Sequence, residues 1–307
     1  MPPLPDVIGV LGFGQMGAGI AQVCAMAGCR VLVREPSDAA HARGLAGIQA
    51  SLAKFVEKGK LAPAEREAAL GRLERADTID ALAPCAWVIE AAPEQLELKA
   101  QLLREAEPVL APEAIIATNT SSLAVGDLAR ALARPGRMVG LHFFNPVPLM
   151  PLVEVVRALT TQDDVVAAAM AFATRLGKTP VETKDGGGFI VNRLLVPYLL
   201  DAVRALEQGV GTVEAIDTAM QLGAGHPMGP FTLLDTIGLD TVLAVAEVLH
   251  HESGEPRHAP PALLRRYVAA GWLGRKAGRG FRLAPADGRS GGRAESRPAP
   301  IVDATTT

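Results

Sequence analysis

The sequence is poor in cysteine and in aromatic residues, and both shortages limit what the protein can be. Its only cysteines are Cys24, Cys29 and Cys85, and none forms a CxxC pair or lies at a zinc-ligand spacing from a histidine. We therefore predict no metal site, and we expect each thiol to be a small buried hydrophobe in a reducing compartment. Aromatic residues make up 4% of the chain, so alanine, leucine, valine and isoleucine must form the core.

An excess of basic charge and a long apolar run are also missing. The formal net charge is -3, which argues against a nucleic acid or an anionic membrane as partner. The apolar runs are too short or too interrupted to cross a bilayer, and residues 1–5 lack the basic and apolar regions of a signal peptide. These features favour a cytoplasmic protein without a membrane partner.

Short apolar runs alternate with helical patterns in the first part of the chain. The runs predict strands over 7–11, 30–33, 87–91, 115–118, 138–141, 152–156 and 180–183. Helices are predicted over 15–27, 38–58, 64–73 and 95–103. This alternation predicts a mostly parallel sheet with helices on both faces, an α/β Rossmann-type doubly wound domain.

The pattern changes after Lys184, where Gly186-Gly187-Gly188 forms a natural hinge. Beyond it the sequence predicts helices over 191–207, 213–222, 239–251 and 261–270, with almost no strand signal. We therefore predict a sheet domain over 1–186 and a smaller all-α domain over 187–284. The last segment, 285–307, is rich in small residues, arginine and proline without an apolar period, and is predicted to be disordered.

A glycine-rich turn separates the first predicted strand from the first predicted helix. Gly12 allows the tight turn, Gly14 lets the backbone approach a pyrophosphate, and Gly17 lets the helix pack closely on the strand. The free N–H groups of the helix N-terminus then attract phosphates. Because the glycines stand between a strand and a helix, the pattern favours a dinucleotide site over a chance glycine turn.

An acidic residue is expected about 20 residues beyond such a turn. Glu35 stands at the end of the second strand, and its carboxylate can accept hydrogen bonds from ribose hydroxyls and repel a 2′-phosphate. The sequence therefore favours NAD over NADP. Arg34 weakens that preference, because arginine can pair with a 2′-phosphate.

Two titratable side chains stand in or beside predicted strands. His142 follows the strand 138–141 directly, at the edge where such sheets place ligands, and histidine suits acid/base work near neutral pH. Its position alone fits a structural histidine equally well. Glu154 lies within the apolar run 152–156, so we expect it to be paired, since a lone buried charge is costly. The alternative is a strand-edge glutamate that faces water.

Other polar residues near the same edge allow two interpretations each. Ser121 and Ser122 follow a buried strand and can cap the next helix. Asn192 stands beside the glycine hinge, where it can bond locally or reach across a cleft between the domains. A basic cluster on the second helix and just beyond it is ordinarily a solvated face, but it also suits a ligand with several phosphates. It consists of Lys54, Lys58 and Lys60.

Several longer motifs in order carry a resemblance to a known family. They are NTSSL over 119–123, GLHFFNP over 140–146 and GFIVNR over 188–193. Together they resemble the 3-hydroxyacyl-CoA dehydrogenases, in particular the short stand-alone 3-hydroxybutyryl-CoA dehydrogenases. HPMGP over 226–230 and GRKAGRGF over 274–281 extend the likeness, which covers about 7–281.

The resemblance implies a reversible hydride transfer from C3 of an (S)-3-hydroxyacyl-CoA to NAD. It implies that His142 is the general acid/base, that Glu154 is its carboxylate partner, and that Ser121 and Asn192 flank the substrate oxygens. A homodimer formed through the helical domain is also implied. The positions that match NAD contacts are Glu94, Lys99, Ser121, Asn145 and Lys276, and those that match CoA contacts are Ser51 and Lys58, with Ser121 beside the substrate.

This sequence departs from the family pattern at three places. Pro93 replaces the usual aliphatic residue, Glu35 the more common aspartate, and Gly187 the usual proline. Two other functions stay open: a dehydrogenase of the same fold that acts on a hydroxy acid or sugar acid without CoA, and a non-catalytic NAD-binding protein. The full set of catalytic positions speaks against the second.

Overall fold

The computed structural model describes residues 4–283. An eight-stranded sheet with flanking helices comes first, and a helical unit follows it. The segment 285–307, for which we predict disorder, lies outside the described residues.

The strands form one sheet in the order β3-β2-β1-β4-β5-β6-β7-β8. The pairs from β3 to β6 are parallel, β6 and β7 are antiparallel, and β7 and β8 are parallel again. The mostly parallel sheet is therefore confirmed. The strands are β1 (Val7–Leu11), β2 (Arg30–Arg34), β3 (Leu73–Arg75), β4 (Trp87–Glu90), β5 (Ile115–Thr118), β6 (Met138–Phe143), β7 (Leu152–Arg157) and β8 (Thr179–Lys184).

Successive side chains of a strand point to opposite faces of the sheet, and both faces carry a buried hydrophobic cluster. Ile8 and Val10 belong to one hydrophobic cluster, whereas Leu11 belongs to a second. Helices cover both clusters, as parallel sheets require. They are α1 (Gln15–Met26), α2 (Asp38–Glu57), α3 (Pro63–Leu70), α4 (Leu96–Ala106), α5 (Val125–Ala129) and α6 (Asp163–Arg175).

The helical unit has a hydrophobic cluster of its own, which shares no residue with the two clusters of the sheet. Among the described residues, no helix is long and apolar enough to cross a membrane. The helices of this unit are α7 (Val191–Glu207), α8 (Val213–Gly223), α9 (Pro230–Ile237), α10 (Leu239–Ser253) and α11 (Ala262–Ala269).

Three details of the sequence prediction are wrong or incomplete. The helix predicted to reach Leu73 ends at Leu70, and Leu73 begins β3, a three-residue strand too short to show an alternating pattern. Strand β6 continues to Phe143, so His142 lies within the strand and not after it. Helices α5, α6 and α9 were not predicted. Two of them have at most eight residues, and the third, α6, is an alanine-rich helix of 13 residues.

Candidate functional site

The turn between β1 and α1 has the shape expected of its glycines. Gly12 has a φ of 90°, in the left-handed region that favours glycine, and its N–H donates to the carbonyl of Arg34 at 2.9 Å. A Cβ on Gly12 would lie 2.9 Å from the carbonyl oxygen of Ala91, and one on Gly17 would overlap the carbonyl of Gly12. These two positions therefore admit only glycine without a shift of the backbone.

Gly14 differs from the other two glycines, because its surroundings are open. It is the N-cap of α1 and has no side-chain cap, and a Cβ there would meet nothing within 4 Å in the described part of the chain. The first N–H groups of α1 therefore face open space at the positive end of the helix. This geometry suits an anion such as a pyrophosphate.

The Glu35 side chain lies directly beside this turn. One carboxylate oxygen accepts the N–H of Phe13 at 3.2 Å, and the other accepts the N–H of Ser37 at 3.0 Å. These bonds hold the carboxylate at the end of β2, next to the glycines. The predicted place of Glu35 beside the glycine turn therefore agrees with the structure.

A buried ionic cluster stands at the ends of β4 and β5. The ammonium of Lys99, which is 1% exposed, lies 2.8 Å from Glu90 Oε1, 3.1 Å from Glu94 Oε2 and 3.1 Å from the carbonyl of Ala92. The hydrogen-bond donors of the Lys99 ammonium are therefore all engaged by protein oxygens. Glu90 cannot be recognised from the sequence, because it is the last residue of an apolar strand and carries no motif of its own.

Glu94 shapes the loop that follows β5. Its Oε1 accepts the Thr120 hydroxyl at 2.6 Å, the Ser121 N–H at 2.9 Å, and both the N–H and the hydroxyl of Ser122 at 3.1 and 3.0 Å. Burial raises the pKa of this carboxyl, but the charge of Lys99 and the hydrogen bonds from Thr120 and Ser121 outweigh it, so the net pKa is lowered. Glu94 therefore stays ionised and fixes the loop.

The structure excludes the interpretation of the two serines as helix caps. Helix α5 begins at Val125, and its N-cap is Ala124. Its first N–H groups are bound by Asp185, which accepts from Val125 at 2.9 Å and from Gly126 at 2.7 Å. The Ser121 hydroxyl has no capping task at α5.

His142 and Glu154 are direct cross-strand neighbours in the antiparallel pair of β6 and β7. The Nδ1 of His142 lies 2.6 Å from Glu154 Oε2, and the two residues are 5% and 1% exposed. Glu154 is therefore buried and paired, and its interpretation as a water-facing glutamate is wrong. Because an ionised carboxylate only accepts, Nδ1 carries the shared proton and Nε2 is left for other partners.

The second oxygen of Glu154 binds the start of the helical unit. Its Oε1 accepts the N–H of Ile190 at 3.0 Å and the N–H of Val191 at 2.9 Å. Phe189 has a φ of 50°, and the right-handed Ile190 follows it. This left-then-right succession turns consecutive N–H groups to one side, as in anion-binding nests.

Aromatic rings enclose the histidine on two sides. The ring centroid of His142 lies 4.5 Å from that of Phe144 and 5.5 Å from that of Phe189. Phe189 therefore serves the pair twice, through its ring and through its left-handed backbone. Asn192 is half-buried in the first turn of α7, directly after the N–H groups that Glu154 binds.

A cleft of about 380 Å³ opens between α1, α2 and the segment 145–148. Gly14, Ser51 and Asn145 are among its lining residues, so the structure brings candidate cofactor and CoA positions to one cleft. Lys58 stands apart as the exposed C-cap of α2. Lys276 lies in the helical unit, where its ammonium pairs with Asp240 at 2.5 Å.

Comparisons with known proteins cover nearly the whole described chain. Residues 7–186 match the family model of the 3-hydroxyacyl-CoA dehydrogenase NAD binding domain, and residues 188–283 match that of the C-terminal domain. A 3-hydroxybutyryl-CoA dehydrogenase from Bradyrhizobium diazoefficiens is 47% identical over 274 residues, which is 89% of this chain and 94% of the relative.

Two crystal structures are similar in fold as well as in sequence. FadB2 of Mycobacterium tuberculosis superposes with a TM-score of 0.90 at 45% identity, over 92% of this chain and 100% of that one. The (S)-3-hydroxybutyryl-CoA dehydrogenase PaaH1 of Ralstonia eutropha has a TM-score of 0.88 at 44% identity, over 91% and 99% of the two chains.

We expect Gly17→Ala to weaken NADH binding, because the new methyl group overlaps the Gly12 carbonyl and forces the turn open. A forced shift of about 1–3 kcal/mol corresponds to about a 5- to 150-fold rise in Kd, measured by NADH fluorescence. Gly223→Ala is the matched control, since its methyl meets nothing within 4 Å in the described chain. Unchanged binding by Gly17→Ala would contradict the role given to the turn.

Proposed function

The chain belongs to the 3-hydroxyacyl-CoA dehydrogenase family, and we propose that it oxidises an (S)-3-hydroxyacyl-CoA, such as 3-hydroxybutyryl-CoA, reversibly to the 3-ketoacyl-CoA. It is an NAD-dependent oxidoreductase. The observation that carries the proposal is the buried His142–Glu154 pair, because oxidation of an alcohol needs a base for the hydroxyl proton.

The residues around the glycine turn fit NAD, since Gly12 and Gly17 close a tight turn that no Cβ would allow and Gly14 faces open space. We assign the pyrophosphate to this turn and the ribose hydroxyls to Glu35. When bound, NAD supplies the acceptor for the C3 hydride. Glu94, Ser121, Asn145 and Lys276 remain proposed NAD contacts. Lys99, whose donors are taken, supports them through Glu94.

His142 takes the proton of the C3 hydroxyl at Nε2 and returns it in the reverse reaction. Glu154 keeps Nδ1 protonated, so the tautomer with a free Nε2 is selected, and it stabilises the ring when both nitrogens carry protons. Ser121, from the sheet domain, and Asn192, from the first turn of α7, flank the C3 and thioester oxygens. Because one comes from the sheet domain and the other from the helical unit, closure of the two domains completes the site and excludes water.

CoA is the proposed carrier of the acyl group, and the cleft at Ser51 is its proposed seat. Lys54, Lys58 and Lys60 are all exposed at and just beyond the end of α2. Exposed ammonium groups at that end suit the several phosphates of CoA. This basic cluster favours an acyl-CoA over a small hydroxy acid or sugar acid.

The assembly, the location and the domain division are also proposals. Leu194 and Leu222 on the helical unit are 67% and 83% exposed, which supports a homodimer through this unit. Burial raises the pKa of Cys29 to about 11 and that of Cys85 to about 12, and free buried thiols suit the reducing cytoplasm. The separate cores support a division near 186–187, with Phe189 still packed in the second cluster of the sheet.

The direct test is an assay with purified protein. We expect oxidation of NADH with acetoacetyl-CoA as the substrate, because the site combines the NAD turn with the acid/base pair. Absence of turnover with short and medium 3-ketoacyl-CoAs would contradict the proposed function.

In the same assay, His142→Gln should lower kcat at least about 10²-fold, the usual scale of general acid/base catalysis. His251→Gln, on the exposed side of α10, is the control and should keep the rate.

The cofactor preference tests Glu35. We expect a higher kcat/KM for NADH than for NADPH, and we expect Glu35→Ala to reduce this ratio at least about tenfold, since a charged hydrogen bond contributes about 1.5–3 kcal/mol. Steady-state kinetics with both cofactors give the ratio. If the ratio stayed the same in Glu35→Ala, Arg34 and not Glu35 would decide the preference.

A further inference from the structure

The connector, residues 185–191, joins the last strand to α7 and is held against its surroundings at both ends. At its start, Asp185 binds the first N–H groups of α5. At its end, the N–H groups of Ile190 and Val191 bind Glu154. Between these points lie three consecutive glycines, the residues with the greatest backbone freedom. The orientation of the last two N–H groups therefore depends on what fixes the glycines.

Glu252 supplies a contact at the middle of the connector. Its Oε2 accepts the N–H of Gly187 at 2.8 Å, and a Cβ on Gly187 would overlap that oxygen. Leu249, one helical turn earlier on α10, lies against the same stretch, 3.3 Å from where that Cβ would stand. Leu249 and Glu252, which lie on one face of α10, therefore both contact the connector.

The position of Glu252 on its own helix also indicates that its contact with the connector matters. It is the penultimate residue of α10, where a negative charge is opposed by the negative end of the helix dipole. The side chain bonds outside its helix, to a buried glycine of the connector. This placement is unfavourable for α10 alone and is explained by the bond to Gly187.

A short path leads from Gly187 to the acid/base pair. Gly188 and Phe189 both have positive φ, at 70° and 50°, and the N–H of Phe189 donates to the carbonyl of Gly186 at 3.0 Å. This tight turn leaves few torsions between Gly187 and the N–H groups that bind Glu154. A tilt of the peptide at Gly187 therefore reaches the Ile190 and Val191 N–H groups, and through them Glu154.

We propose that Glu252 is a positioning residue for the His142–Glu154 pair, acting through the Gly187 N–H and the connector. The proposal rests on the proposed function, because it concerns the efficiency of that acid/base pair. Without Glu252, the three glycines sample more orientations, and Glu154 holds His142 in the productive geometry for a smaller fraction of the time. The cofactor turn shares no contact with Glu252, so cofactor affinity is preserved.

The test compares Glu252→Ala with Glu252→Gln in the full-length protein. The alanine removes the acceptor, whereas the glutamine keeps an oxygen for the Gly187 N–H. We expect Glu252→Ala to lower kcat with acetoacetyl-CoA about tenfold and to leave KM for NADH within about twofold, since small misplacements of catalytic groups carry large rate costs. Glu252→Gln should keep kcat within about threefold of that of the unsubstituted protein. Glu247→Ala is the control on the same helix as Glu252: it breaks the exposed pair with Arg265 of α11 and should keep the rate.

Amide hydrogen exchange over 186–192 provides a second readout, which does not need activity. We expect faster exchange of this peptide in Glu252→Ala and not in Glu247→Ala. An unchanged kcat, a loss of kcat without faster exchange, or an equal loss in Glu252→Gln would overturn the proposal. If the unsubstituted protein did not turn over acetoacetyl-CoA, the proposed function would fail, while the exchange comparison would still decide whether Glu252 holds the connector.

Discussion

The two oxygens of one buried carboxylate, Glu154, connect the parts on which this site depends. One oxygen holds the imidazole of His142, and the other holds the N–H groups at the start of α7. The first contact lies within the sheet, and the second joins the sheet to the helical unit. Orientation of the His142 ring and attachment of the helical unit therefore depend on the same group. A carboxylate taken out of water at such a point needs partners on both oxygens, and the structure provides them.

Carboxylates that bind backbone N–H groups recur through the molecule. Glu94 fixes the loop after β5, Asp185 binds the start of α5, and Asp217 accepts the N–H groups of Phe231 and Thr232 at the start of α9. Each acid lies far along the chain from the N–H groups that it binds. These acids therefore act as long-range links where an ordinary helix cap is local.

Much of this arrangement could be predicted from the sequence, because its signals are local. Strands β1, β2, β4 and β5 are apolar runs, and the glycine turn with Glu35 has a fixed spacing. The family motifs pointed to His142 and Glu154, which the structure brings within 2.6 Å. Periodicity alone left both residues open, because it cannot show that β6 and β7 pair antiparallel and in this register.

What the sequence could not show depends on contacts between distant residues. Glu90 looks like the end of an apolar strand until Lys99 is seen beside it. Glu252 looks like an ordinary helical glutamate until its bond to Gly187 of the connector is seen. The left-handed φ of Phe189 has no signature in sequence, since that region ordinarily favours glycine. These features follow from the packing of whole elements, and local patterns do not carry them.

Glu154 binds His142 with one oxygen and the start of α7 with the other. The most direct measurement is the single-turnover rate of hydride transfer in Glu154→Gln. A glutamine can keep its oxygen on the α7 N–H groups, but its amide nitrogen then faces Nδ1 and cannot accept the proton there. We expect a loss of at least about 10²-fold in this rate in a protein that still folds. A rate equal to that of the unsubstituted protein would contradict it.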